Sequence, residues 1–147
     1  MAASIRTILT DAAALRPDQT WLVTPETDTY FSWRQAQSRA ESIACYLHGA
    51  KLSDGASVAI AAPNGAAASF AFLGVVYGGF RATPLNLVAG VKTLAFVLSH
   101  SKTKLILCAD DSRSLVDEAL AMLASSGETP PRLIAMDVDY GPRWSET

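Results

Sequence analysis

The side chains of this sequence that could act as acids, bases, nucleophiles or ligands are few and scattered. His48 and His100 each close a stretch with helical spacing. There a partly charged imidazole offsets the negative end of the helix. A metal site would need further Cys, His or Asp partners, and no spacing in the chain supplies them. Asp110 and Asp111 follow an apolar run of strand type, the position where open α/β sheets gather ligands. With Ser112 they are equally well placed to cap the next helix. Ser32 and Ser101 lack the Gly-x-Ser-x-Gly setting of an activated serine. Cys45 and Cys108 are expected within a helix and a strand, both buried. Two lone thiols suit a reducing compartment, and neither has a neighbouring His or cation to activate it.

Phosphate chemistry has no better foothold. The chain contains no G-x-G-x-x-G and no Gly-Lys-Ser/Thr loop. Its nearest decoy, "SSGETPPR" from Ser125 to Arg132, follows a predicted helix and precedes a predicted strand. A phosphate cradle belongs in the opposite order, after a strand and before a helix. The decoy also lacks a second Gly and a Lys, so it is read as a plain turn. Gly74, Gly78 and Gly79 share one helix, and are read as close packing of that helix on a strand rather than as approach to a ligand. From the residues alone, no catalytic, cofactor-binding or metal-binding set is assigned.

Composition narrows the classes further. The 147 residues amount to about one domain, half of them hydrophobic and only 18% charged. The net charge of −2, with twelve scattered basic residues, argues against a nucleic-acid partner. From Ala66 to Phe80 no residue is charged. A membrane span needs about 20 apolar residues, and this run is shorter, so no membrane span is expected. A helix apolar all round is a buried helix, and residues 66–80 are expected to be covered on both sides. "MAASIRTILTDAAAL" carries Arg6 and Asp11 where an export signal needs an apolar stretch. The expected location is the cytoplasm.

The elements that would position these groups alternate in type. Residues 4–15 predict a short helix. "WLVT" (21–24) and "TYFSW" (29–33) predict a small hairpin. Ser32 and Gln35 have capping-box spacing, and open a helix whose Ala36, Ala40, Ile43, Ala44 and Leu47 make one apolar face before Gly49 ends it. "VAIAA" (58–62), "KLILCA" (104–109) and "RLIAMD" (132–137) are continuous apolar runs, as in strands covered on both faces. "RATPLN" (81–86) reads as a strand stub. Helices are predicted over 66–80, 91–100 and 113–125. After Asp139 the tail has no period. The fold class is therefore α/β: a mostly parallel sheet with helices on both faces, plus a small N-terminal β-hairpin.

Taken in order, these pieces resemble the N-terminal region of the adenylate-forming enzymes, which include acyl-CoA synthetases, peptide-synthetase adenylation domains and luciferases. The residues that carry the resemblance are Arg16-Pro17-Asp18, Ser32-Trp33, Val58-Ala59-Ile60 with Pro63-Asn64, Gly79, Pro84-Leu85-Asn86, Leu98 with Ser101, and Lys104-Leu105-Ile106. They cover about residues 10–110; no one piece is specific, but the ordered set is. Two places depart from the family pattern. Gly55-Ala56, with Asp54 ahead, stands where Gly-Asp is usual, and Ala66, Ala67 and Ala68 follow Pro-Asn where an acidic residue is common.

The resemblance implies a division of the chain into residues 1–139, an N-terminal subdomain of an acyl-CoA synthetase-like large domain cut before the phosphate loop, and a tail over 140–147. It implies that the intact ligase uses ATP, Mg²⁺ and coenzyme A, with acyl-CoA formation of the kind found in fatty acid metabolism. It also implies that this chain alone holds none of these cofactors. Its expected partners are the remainder of the parent enzyme and, through an exposed apolar face, further copies of itself. The alternative is a stand-alone nucleotide- or small-ligand-binding module, with Asn64, Asn86 and Asp110 lining a crevice at the carboxyl ends of the strands.

Overall fold

The computed structural model describes residues 2–137 and 141–146, with side chains placed through Met136. The chain begins with α1 (Ile5–Leu15), whose N-cap Ser4 accepts from the Thr7 amide. A two-stranded antiparallel hairpin follows, β1 (Thr20–Thr24) and β2 (Thr29–Ser32). Helix α2 (Trp33–Gly49) starts on a complete capping box. The Gln35 amide donates to Ser32 Oγ at 3.2 Å, and the Ser32 amide donates to Gln35 Oε1 at 2.8 Å. Two backbone donors that a helix start would leave unpaired are thereby satisfied.

The remaining elements are β3 (Ser57–Ala61), α3 (Ala66–Tyr77), β4 (Arg81–Pro84), α4 (Val91–His100), β5 (Thr103–Ala109), α5 (Arg113–Ser125), β6 (Arg132–Asp137) and β7 (Gly141–Glu146). The sheet order is β4-β3-β5-β6-β7. The first four strands run parallel and β7 is antiparallel to β6. Because side chains alternate across a strand, the sheet feeds two cores. Val58, Ile60, Leu105, Leu107, Ile134 and Met136 share one with α2, α3 and the hairpin. Ala59, Ala61, Ile106, Cys108 and Leu133 share the other with α4 and α5. The α/β reading, the parallel sheet with helices on both faces and the hairpin are all found.

Five details differ from expectation. The tail beyond residue 139 carries β7, whose backbone pairs with the otherwise open edge of β6. Asp110–Ser112 form a short 3₁₀ turn, and Ser112 makes no side-chain cap to α5; its φ of −97° and ψ of −5° are already near-helical rather than the extended geometry a cap uses. Cys45 is exposed, because it falls just off the α2 face formed by Ile43, Ala44 and Leu47. The glycines of α3 serve helix-on-helix packing rather than helix on strand: a Cβ on Gly74 would overlap the Ile43 side chain of α2, and one on Gly78 would lie 3.2 Å from Ala44. Gly79 instead provides a turn, at φ +85°.

The fifth difference concerns α3 itself. Its inner face (Ala67, Phe70, Ala71, Gly74, Val75) is buried, but its outer face is not walled in. Phe72 is 47% exposed, and Ala68, Leu73 and Val76 are only partly covered. No helix among the described residues is long and apolar enough to cross a membrane.

Candidate functional site

The family-like signatures, followed into the structure, are joints. Arg16-Pro17-Asp18 fastens the end of α1 to the start of α2. The Arg34 amide donates to Pro17 O at 3.0 Å, Arg34 Nη2 pairs with Asp18 Oδ1 at 3.1 Å, and the Arg16 guanidinium lies 4.8 Å from the Trp33 ring centre. That ion pair is largely exposed, so its contribution is small. Leu85 of Pro84-Leu85-Asn86 donates its amide to Ile60 O at 2.9 Å and buries its side chain on the α4–α5 side of the sheet. Asn86 Oδ1 accepts from the Val88 amide at 3.2 Å, turning the chain toward α4. The loop thus leads away from the sheet, and the strand stub is confined to Arg81–Pro84.

At the amino ends of the central strands, hydroxyls form a chain. Ser57 Oγ lies 2.8 Å from Thr83 Oγ1 and 3.1 Å from Thr103 Oγ1, which lies 2.7 Å from Ser101 Oγ. Ser101 is therefore a link in a structural ladder across β4, β3 and β5. These polar links tie the three strands together at one end of the sheet. Ser57 and Thr103 are buried with their hydroxyls paired, so the links do not leave an unsatisfied polar atom.

A cleft of about 540 Å³ lies at the carboxyl ends of β3 and β4 and the start of α3; a second, of about 330 Å³, lies between Tyr46, Gly49, Ala50 and Arg132. The walls of the first include Trp21, Asn64, Ser69, Phe72, Leu73 and Leu85. The position is where an open sheet would hold a ligand, but the chemistry is thin. Among the described residues its polar side-chain groups are those of Asn64, Ser69 and the Trp21 indole, and Ser69 Oγ already donates to Gly65 O at 2.9 Å. Asn86 borders a separate pit of about 20 Å³. Asp110 borders none of the described cavities and sits exposed in the 3₁₀ turn. The three residues expected to converge on a crevice thus do not come together.

The titratable groups are equally dispersed. His48 ends α2 with its ring 5.1 Å from Phe80, and His100 ends α4 stacked 5.4 Å from Phe96. Cys108 is buried in β5, and loss of hydration pushes its thiol up to about 11, despite the opposing field of Arg113. A thiol so held is a packing group, not a nucleophile. Arg39 lies 4.6 Å from the centre of Phe70 and 5.1 Å from that of Phe31, and burial lowers its pKa. It ties the hairpin to α2 and α3. Among the described residues no three His, Cys, Asp or Glu side chains gather to hold a metal, and neither Lys nor Arg lines the cleft. Among the described residues, the cleft thus offers no cation to a phosphate and no carboxylate to a metal. Sequence reasoning expected a crevice at the carboxyl ends of the strands and placed Asn64 there, but its other walls, from β1, β4 and α3, are brought together only by the folded topology.

Comparison with known proteins accounts for this pattern. The sequence model of AMP-binding enzymes matches residues 9–145. An acetate–CoA ligase of Humulus lupulus, CCL3, is 28% identical over 128 residues, 85% of this chain and 22% of the relative. The peroxisomal acetate/butyrate–CoA ligase AAE7 of Arabidopsis thaliana is 31% identical over 109 residues, 72% of this chain and 19% of the relative. In structure, the N-terminal domain of FACL13 from Mycobacterium tuberculosis superposes with a TM-score of 0.77 at 26% identity, over 88% of this chain and 32% of that domain. The chain spans about a fifth of the length of the curated relatives it matches. By the extent of that match and the shared fold, the chain belongs to the AMP-binding enzyme family.

Proposed function

We propose that this chain is the first sheet-and-helix layer of an ATP-dependent, AMP-forming acid–thiol ligase, and that alone it is not catalytic. The intact ligase would join a carboxylate to ATP, release pyrophosphate, and pass the acyl group to the thiol of coenzyme A. ATP, Mg²⁺ and coenzyme A belong to that larger assembly, whose remainder is the partner of this chain. The two unpaired cysteines fit a reducing compartment, and we assign the cytoplasm.

The observation that carries this reading is the contrast between a match to AMP-binding enzymes over residues 9–145 and a cleft to which the described residues bring no charged side chain. The test is acid-dependent exchange of labelled pyrophosphate into ATP by the 147-residue chain, over a panel of short, aromatic and fatty acids. The expected rate equals the protein-free blank. Exchange that rises with any one acid would overturn the scaffold reading.

A further inference from the structure

Helices α4 and α5 pack side by side on one face of the sheet. Each joins two parallel strands, α4 leading into β5 and α5 into β6, so the two helices run the same way. Their outward stripes repeat one pattern with opposite charge. On α4, Lys92 lies one turn ahead of Phe96, which is 64% exposed and stacked on His100. On α5, Glu118 lies one turn ahead of Met122, which is 37% exposed. Among the described residues neither Lys92 nor Glu118 has an ion-pair or hydrogen-bond partner within the chain.

The two patterns also lie level. Ser99 Oγ near the end of α4 donates to Glu128 Oε1 just beyond α5 at 2.7 Å, which ties the two helix ends together. Phe96 is four residues from the end of α4 and Met122 three from the end of α5; Lys92 and Glu118 are eight and seven. At a rise of about 1.5 Å per residue, the matching positions differ in height by little more than one residue. A two-fold rotation about the groove between the helices keeps their direction and exchanges their places. It sets Lys92 against Glu118 of a second copy and Phe96 against its Met122, and does so twice, as an isologous contact must. We propose that the α4–α5 face is a self-complementary surface through which two copies of this chain associate. The occupant is a second copy because the face itself carries both halves of the charge match and of the apolar match. Two helices of 10 and 13 residues make a contact of the small class, at or below about 1,200 Å² in total, so the dimer is weak and reversible.

A charge swap read by sedimentation equilibrium tests this, with the 147-residue chain at about 10 μM to 1 mM. The native chain should populate a monomer–dimer equilibrium. Lys92→Glu or Glu118→Lys alone should weaken the dimer about tenfold, since each reversal brings two pairs of like charges together. The double variant Lys92→Glu/Glu118→Lys should return to within about threefold of the native chain, because the pairs are restored with their signs exchanged. Phe96→Ser should remove the dimer while moving the thermal midpoint by less than about 3 °C, since the ring is mostly exposed. Should a reversal fail to fold by circular dichroism, Lys92→Gln and Glu118→Gln take its place, each with a loss of about threefold. A chain that stays monomeric over the whole range overturns the proposal. So does a dimer indifferent to both reversals, or one that the double variant does not rescue. A dimer kept in Phe96→Ser and lost in Phe72→Asp would place the contact on α3 and overturn it as well. None of these readouts is an enzymatic rate, so the outcome is independent of the ligase reading.

Discussion

Helices α3 and α5 lie on opposite sides of the same sheet and were built by different rules. Helix α5 buries Val116, Ala119 and Leu123 and turns Asp117 and Glu118 outward, with Arg113 Nε bonded to both Asp117 oxygens at 3.0 Å. It is a finished surface helix, apolar on one stripe and charged on the other. Helix α3 buries Ala67, Phe70, Ala71 and Val75 just as thoroughly, yet its far side is still apolar. The difference teaches that one sheet can carry a helix with a charged outer stripe on one side and, on the other, a helix whose outer stripe is apolar and only partly covered.

Substitutions on the inner side of α3 should be the most damaging. Phe70 is fully buried, with Trp21 at 5.2 Å, Phe31 edge-on at 5.0 Å, and Arg39 over its ring. Phe70→Ala should cost about 3–5 kcal/mol, read from urea unfolding at constant m-value. Next comes Gly74→Val, which drives a branched side chain into Ile43 and should cost about 3 kcal/mol through displacement of α2. If either change cost no more than a polar substitution at the half-exposed Phe72, the distinction between the two faces of α3 would collapse.

Changes at the strand ends and caps should be smaller. Ser57→Ala removes the hydroxyl linking Thr83 and Thr103 and should cost about 1–2 kcal/mol, since the buried Thr103 hydroxyl and the half-buried Thr83 hydroxyl each lose a partner. Ser32→Ala dissolves the capping box of α2 and should cost about 1 kcal/mol, visible as a lower urea midpoint. A thiol count sharpens the contrast between surface and sheet: one equivalent of Ellman's reagent should react promptly at pH 8, at Cys45, and the second only after denaturation. Because burial raises the folded Cys108 pKa to about 11, the folded state holds its proton where the unfolded chain releases it. That group's contribution is therefore intact below the ordinary thiol range and is lost as pH climbs from about 9 toward 11. A Cys108→Ala variant should lose that part of the alkaline destabilisation.

Much of the fold was legible because the signals were local. Ser32 and Gln35 announced α2, and Leu115, Val116, Ala119, Leu120 and Leu123 gave α5 its period. The continuous runs at Val58, Leu105 and Leu133 marked central parallel strands. What stayed hidden depended on the rest of the molecule. An all-apolar α3 carries no period to say which face is buried. The segment from Gly141 to Glu146 does not alternate; it becomes a strand because β6 offers it an open edge. Gly74 looked like a strand contact until the topology laid Ile43 over it. Asn64, Asn86 and Asp110 all follow strands in sequence, but the turns after those strands point them to different places. The candidate site was legible only in its position at the carboxyl ends of the strands and in Asn64; the rest of its lining is a property of four elements at once and leaves no mark on any one of them.

The central claim is that this layer frames a nucleotide site without itself holding nucleotide. Titration calorimetry of the 147-residue chain with Mg²⁺·ATP, AMP and coenzyme A tests it most directly. The account predicts only heats of dilution with all three ligands. A saturable isotherm for ATP or AMP, abolished by substitution at Asn64 or elsewhere in the cleft, would contradict it.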